Sequence, residues 1–130
     1  MIILVAVNDI FFYAKLRDVL RAGGYTIERA RTQDEVAAKS QALRPAALVL
    51  NMNDPGLDGL QALAQLKAND QLPSLPVLAF ANHEEVETWQ RAKELGVTKI
   101  VSRNEFSSRT RELVEEVISV QPSAPSKAES

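Results

Sequence analysis

The stretch Ala46-Ala47-Leu48-Val49-Leu50-Asn51-Met52-Asn53-Asp54-Pro55-Gly56-Leu57-Asp58-Gly59 decides the fold. An unbroken apolar run stops at a carboxamide, Asn51. Apolar runs without polar alternation suit strands buried on both faces, as in parallel sheets. A Pro/Gly loop follows, and Asp58 is placed to cap a helix carrying Leu60, Leu63 and Leu66. Such a unit carries its last strand residue to the carboxyl edge of the sheet, where open α/β domains bind ligands. The residue carried there is an amide, which cannot take up a phosphoryl group and binds a divalent cation poorly.

The same grammar extends in both directions. Apolar runs recur at residues 2–7, 76–81 and 99–102, with a weaker one at 25–30. Between them the apolar spacing is helical. Phe12, Leu16, Val19 and Leu20 share one face of a helix that stops at Gly23-Gly24. Thr32 and Glu35 have the form of a capping box opening a helix to about residue 44, where Pro45 blocks continuation. Asn82 is placed to cap a helix over about 83–95, closed by Gly96. The last helix carries Leu113, Val114, Val117 and Ile118. A β-α unit repeated five times forces parallel strands with right-handed crossovers. The expected fold is therefore a flavodoxin-like, doubly wound five-stranded parallel sheet of order 2-1-3-4-5 with five helices. Residues 1–120 form this domain, and the Pro/Ser/Ala-rich segment 121–130 reads as a disordered tail or linker.

Composition removes several function classes. The chain has 130 residues, enough for one domain with a real core, and its net charge of −2 comes without a basic stripe, so nucleic-acid binding has no support. It has no cysteine, and its one histidine, His83, sits where a solvated surface residue is expected. Disulfides, thiolate metal sites and His-dependent triads are thereby set aside. The apolar start lacks a basic leader and is too short to span a bilayer, so it reads as a buried strand in a cytoplasmic protein with no membrane contact. Val7-Asn8-Asp9-Ile10 contains no glycine, and there is no Gly-x-Ser-x-Gly elbow, so neither a nucleotide-phosphate loop nor a hydrolase nucleophile is indicated.

The strand ends bring Asn8-Asp9, Asn51, Ala81 and Arg103 to one edge. With Leu4-Val5-Ala6-Val7-Asn8-Asp9, Pro55-x-x-Asp58-Gly59 placed four residues beyond Asn51, Leu75-Pro76-Val77-Leu78-Ala79-Phe80-Ala81 and Leu95-Gly96-Val97, the chain resembles a CheY-like response-regulator receiver domain over about residues 2–120. The resemblance implies an acidic Mg²⁺-binding pair after strand 1, a phosphoacceptor aspartate after strand 3, a Thr or Ser ending strand 4, a Lys ending strand 5 and an aromatic switch residue on strand 5. At those positions this chain has Asn8-Asp9, Asn51, Ala81, Arg103 and Ile100, and Asn104 stands where a proline usually follows the Lys. Asp9 alone keeps the usual chemistry.

These departures define a degenerate phosphorylation pocket. An amide oxygen is too weak a nucleophile for phosphoryl transfer. One carboxylate in place of three leaves Asp9 as a weak metal candidate at best, so Mg²⁺ binding is expected to be weak or absent and no cofactor is implied. Ala81 has no hydroxyl, and Ile100 with Ala81 lacks the two-position switch. Arg103 is read chiefly as an internal partner of Asp9 or of the Asn51 carbonyl, and secondarily as an anion ligand. The expected function is a pseudo-receiver: no enzyme, but a phosphorylation-independent interaction module that binds another signalling protein or a second copy. The face for this is the one made by helix 4, strand 5 and helix 5, with Trp89, Lys93 and Ile100. Trp89 is equally a ring folded over the core edge. Two alternatives stand: a working receiver phosphorylated on Asp54 or Asp58, with Asp58 better explained as a helix cap and Asp54 expected out in the loop, or a small-ligand sensor at the altered pocket. Phe11, Phe12 and Tyr13 cannot all face inward at helical spacing, so at least one is expected at the surface.

Overall fold

Alternation along the strands sorts the core into two layers. The structure, a computed structural model, describes residues 1–120; the expected tail at 121–130 lies outside them. Five parallel strands, β1 (Ile2–Ala6), β2 (Thr26–Arg29), β3 (Ala47–Asn51), β4 (Val77–Ala81) and β5 (Lys99–Ser102), pair in the order β2-β1-β3-β4-β5. Leu4, Ala6, Leu48, Leu50, Val77, Ala79 and Ile100 face one layer of helices: α2 (Gln33–Leu43), α3 (Gly59–Ala68) and α4 (Val86–Leu95). Ile3, Val5, Ala47, Val49, Leu78, Phe80 and Val101 face the other layer: α1 (Ile10–Ala22), α5 (Arg103–Ser108) and α6 (Thr110–Ser119). The expected doubly wound sheet and its strand order are as found. Burial on both faces is what the uninterrupted apolar runs require.

Several element boundaries differ from expectation. Among the described residues there are six α-helices, not five, because the last one divides. Ser102 caps α5 by accepting from Glu105 N at 3.1 Å, and Arg109 then leaves helical geometry at φ −133°, ψ 33°. The corner is held by the Arg109 guanidinium, which reaches Glu105 (2.6 Å), Glu112 (3.0 Å) and Glu116 (2.7 Å). The hydrogen bond and charge of Arg109 hold the Glu112 carboxyl below its ordinary value. A depressed carboxyl stabilises the fold above its ordinary range and loses that contribution as the solution is acidified through it.

Helix α4 begins at Val86 and is not capped by Asn82, whose backbone bonds elsewhere. The capping box at Thr32 is offset by one residue: Thr32 Oγ1 accepts from Glu35 N, but the Glu35 carboxylate reaches Arg31 N at 3.0 Å. On α1, Leu16 and Leu20 are buried while Val19 is exposed.

The sheet's second layer centres on an aromatic cluster. Phe80 and Phe106 stack with centroids 4.4 Å apart, and Phe12 tilts against them at 5.5 and 5.8 Å. Phe11, its neighbour on α1, is 86% exposed, so one of the three successive aromatics does lie at the surface. Phe106 is fully buried although it sits in a polar segment with no helical apolar pattern. Phe106→Ala is therefore expected to lower unfolding free energy by about 3–5 kcal/mol in urea melts, since it removes a stacked ring and leaves a cavity. A loss below about 1 kcal/mol would show that the ring is not part of a close-packed core.

Candidate functional site

At the carboxyl edge the sheet converts its apolar strands into four polar loops. Asn51 ends β3, 3% exposed, and its side-chain carbonyl oxygen accepts from Asn53 N at 3.0 Å. The amide oxygen is folded onto its own loop, and no hydrogen bond joins Asn51 to Arg103. Asp9 caps α1, accepting from Phe11 N and Phe12 N, both at 3.1 Å. Its second oxygen lies 3.6 Å from Arg103 Nη2. The pair is about half exposed, so its electrostatic contribution is small. Arg103 gains more from Phe12, over whose ring its guanidinium carbon lies 4.4 Å from the centroid. Arg103 is thus the lid of the aromatic cluster and a partner of Asp9. Asn8 turns away from both, donating its side-chain amide to Arg31 O at 3.0 Å.

The loops are tied together by residues whose sequence context concealed them. Asp54 is not out in the loop. It is 7% exposed, and its carboxylate accepts from Asn8 N at 2.5 Å and from Gly56 N at 3.0 Å. Gly56 permits this closure, because a Cβ there would stand 2.7 Å from the Asn8 side chain. Arg29, at the end of β2, donates to Val7 O and Asn8 O and lies over Tyr13 at 4.6 Å. A hydrogen-bonded relay then crosses the edge: Asn51 Oδ1 takes Asn53 N, Asn53 Oδ1 takes Asn82 N at 2.7 Å, and Asn82 O takes Trp89 Nε1 at 3.0 Å. Spacing cannot reveal such links, since Asp54 in a Pro/Gly loop reads equally well as solvated. The Asp54 carboxylate and the Asn8 backbone donor, 46 residues apart, meet only after folding.

The remaining sequence-derived positions fall as follows. Ala81 closes β4 and is buried without a polar group. Ile100 is 9% exposed and faces the α2–α4 core, so it cannot offer much to a partner; the alternation of β5 turns it inward. Trp89 is half-buried against the same core, with its indole N–H satisfied by Asn82 O, which is the core-edge reading. Lys93 is exposed, as are Val86 at the start of α4 and His83 in the loop before it. Asp58 caps α3, accepting from Gln61 N at 3.0 Å.

With this geometry established, kinship can be stated. Residues 3–117 match the family described as the response regulator receiver domain. The chain belongs to that family. It is a receiver domain of two-component signalling. It is similar to the response regulator MprA of Mycobacterium ulcerans, 40% identical over 78 residues covering 59% of this chain and 34% of that protein. It is also similar to a protein-glutamate methylesterase/protein-glutamine glutaminase of Caldanaerobacter subterraneus, 27% identical over 121 residues covering 90% of this chain and 33% of that protein. The chain thus spans about a third of the length of either relative. Its fold is shared with the receiver domain of NtrX from Brucella abortus, at a TM-score of 0.79 and 22% identity over 91% of this chain and 98% of that one. No helix among the described residues is long and apolar enough to cross a membrane.

Asp54 and Asp58 should separate on mutation. Asp54→Ala strands two backbone donors in a buried loop and is expected to cost about 2–4 kcal/mol. Asp58→Ala removes an exposed cap and should cost about 1 kcal/mol. Urea denaturation measures both, and amide exchange at Asn8 and Gly56 should accelerate in Asp54→Ala alone.

Proposed function

We propose that this receiver has left phosphoryl chemistry and works as a phosphorylation-independent interaction module, in effect a pseudo-receiver. The observation that carries the proposal is the state of Asn51. The family's acceptor position holds a buried carboxamide whose oxygen is engaged by Asn53 N. An amide offers no anionic nucleophile, and this one is also turned into its own loop. The surrounding positions support the same reading. Ala81 has no hydroxyl for a phosphoryl oxygen, and Ile100 replaces the aromatic switch with a packed aliphatic side chain. The cation at the strand 5 end is a guanidinium seated over Phe12.

The Mg²⁺ that receivers of this family hold does not fit the donor set. Asn8 and Asn51 are amides, and Asp9 already caps α1 and faces Arg103. A hard, reluctantly dehydrated cation needs more negative charge than this edge offers. Asp54 is the strongest rescue candidate by position, yet both of its oxygens accept backbone N–H groups. Using it as a nucleophile would require dismantling the loop.

In place of a switched signal, the proposed output is constitutive docking to another signalling protein or to a second copy. The face is α4, β5 and α6, the last of these standing where a fifth helix was expected. Lys93 and Val86 are its open side chains on α4, and the Asn51–Asn53–Asn82–Trp89 relay holds that helix in one position.

The deciding experiment is incubation with acetyl phosphate and Mg²⁺ followed by intact-mass measurement. The expected result is no adduct. A stoichiometric phosphoryl adduct that disappears in Asp54→Ala or Asp58→Ala would overturn the proposal. Docking is read separately: Lys93→Glu and Val86→Asp should abolish partner capture or self-association while leaving the melting temperature unchanged. A second prediction concerns reversal. Asn51→Asp combined with Asn8→Asp should restore Mg²⁺ binding in calorimetry, but a phosphoryl mimic should not shift the amide resonances of α4, because Ala81 and Ile100 remain. Propagated shifts there would show that the switch survives.

A further inference from the structure

The opposite edge of the sheet carries a cavity unrelated to the phosphorylation pocket. Its volume is about 600 Å³, and it lies where α2 and α3 end and where the chain enters β3 and β4. Its wall includes Ser40, Gln41, Arg44, Asn69, Asp70 and Gln71. That volume falls within the ordinary range for small-molecule sites.

Three independent observations mark this cavity. First, Arg44 (φ 49°) and Asp70 (φ 56°) are the two non-glycine residues with positive φ among the described residues, and both line it. A left-handed position ending a helix normally takes glycine or asparagine, and a charged side chain there is held against a conformational preference. Second, Ser40 is 6% exposed, and its hydroxyl is the one buried side-chain polar atom without a hydrogen-bond partner among the described residues. Groups of that kind call for a partner. Third, neither Arg44 nor Asp70 makes an ion pair among the described residues, with each other or with anything else, and the Gln41 amide is equally free.

We propose that this cavity binds a small zwitterion of about tripeptide size. Arg44 supplies the cation for a carboxylate. Asp70 and the carbonyl ends of α2 and α3, whose helix dipoles are negative there, suit an ammonium group. The Gln41 amide suits the peptide groups between them, while the Asn69 amide already donates to Gln71 Oε1 at 3.2 Å. Arg44 and Asp70, both exposed at the cavity wall, do not pair with each other, which leaves one cation and one anion for a molecule with opposite charges at its two ends. A simple anion would meet Asp70, and a simple cation would meet Arg44.

The test is a titration of the ¹⁵N-labelled full chain with triglycine, followed by amide resonances. The expected result is saturable shifts centred on Gln41, Arg44, Asp70 and Gln71, with the carboxyl-edge residues Asp9, Asn51 and Arg103 unmoved. N-acetyl-triglycine amide, which has no end charges, should bind at least roughly tenfold more weakly, as should triglycine to Arg44→Gly and to Asp70→Gly. No saturable response to triglycine, or an equal response to the capped peptide, would overturn the proposal. A second readout does not depend on the probe. Glycine relieves the left-handed backbone, so both variants should melt at the same temperature as the parent or higher. A fall of more than about 4 °C would show that these side chains are held for folding and would equally sink the proposal.

Discussion

A strand covered on both faces leaves polar side chains nowhere to go but its ends. That constraint organises the whole molecule. β1, β3 and β4 are apolar throughout, so the only chemistry they can present is at the residues that close them or follow them: Asn8-Asp9, Asn51 and the loop after Ala81. The two helical layers are sorted by the same alternation, and the aromatic cluster of Phe12, Phe80 and Phe106 fills the layer beneath the site. Arg103 then lies over Phe12. A guanidinium suits that position better than an ammonium, because its planar, weakly hydrated face stacks on a ring. In this chain the guanidinium of Arg103 covers the aromatic core beside the pocket.

The carboxyl edge is held together by hydrogen bonds within the chain. Clustered carboxylates repel one another and need a cation to hold them together. With amides at Asn8 and Asn51 that repulsion is gone, and hydrogen bonds close the loops. Asp54 joins the end of β1 to the β3–α3 loop, Asn53 joins that loop to Asn82, and Asn82 receives Trp89 from α4. The result is one connected edge with a direct tie to α4, which is the physical basis for reading the domain as held in one state.

The two edges of the sheet differ in kind. The carboxyl edge is tied together: Asp9, Asn51, Asn53 and Asp54 accept hydrogen bonds within the chain, and none of the described left-handed residues lies there. The amino edge concentrates the two left-handed non-glycine residues and the unpartnered Ser40 hydroxyl around one cavity. Strain and unmet polar groups tend to gather where a protein meets something else. In this chain they gather away from the position that gives the family its activity.

How much of this was legible beforehand follows from the range of each interaction. Uninterrupted apolar runs, helical spacing and Gly, Pro and Asx punctuation are local, so five strands, their order and the strand-end residues Asn8, Asp9, Asn51, Ala81 and Arg103 could be read from the chain alone, as could Phe11 or a neighbour lying exposed. Long-range partners could not. Asp54 looked like a solvated loop acid until Asn8 N, far away in sequence, came to it; Asn82 looked like a helix cap until Asn53 and Trp89 claimed its backbone. The division of the last helix at Arg109 and the burial of Phe106 in a polar segment depend on which neighbours are nearby. The sequence by itself determined which residue stands at each strand end, because residue type is enough to say that an amide is not a carboxylate. Tertiary structure alone decided what fills the gap, because a polar group's partner is set by distance in space and not by distance along the chain.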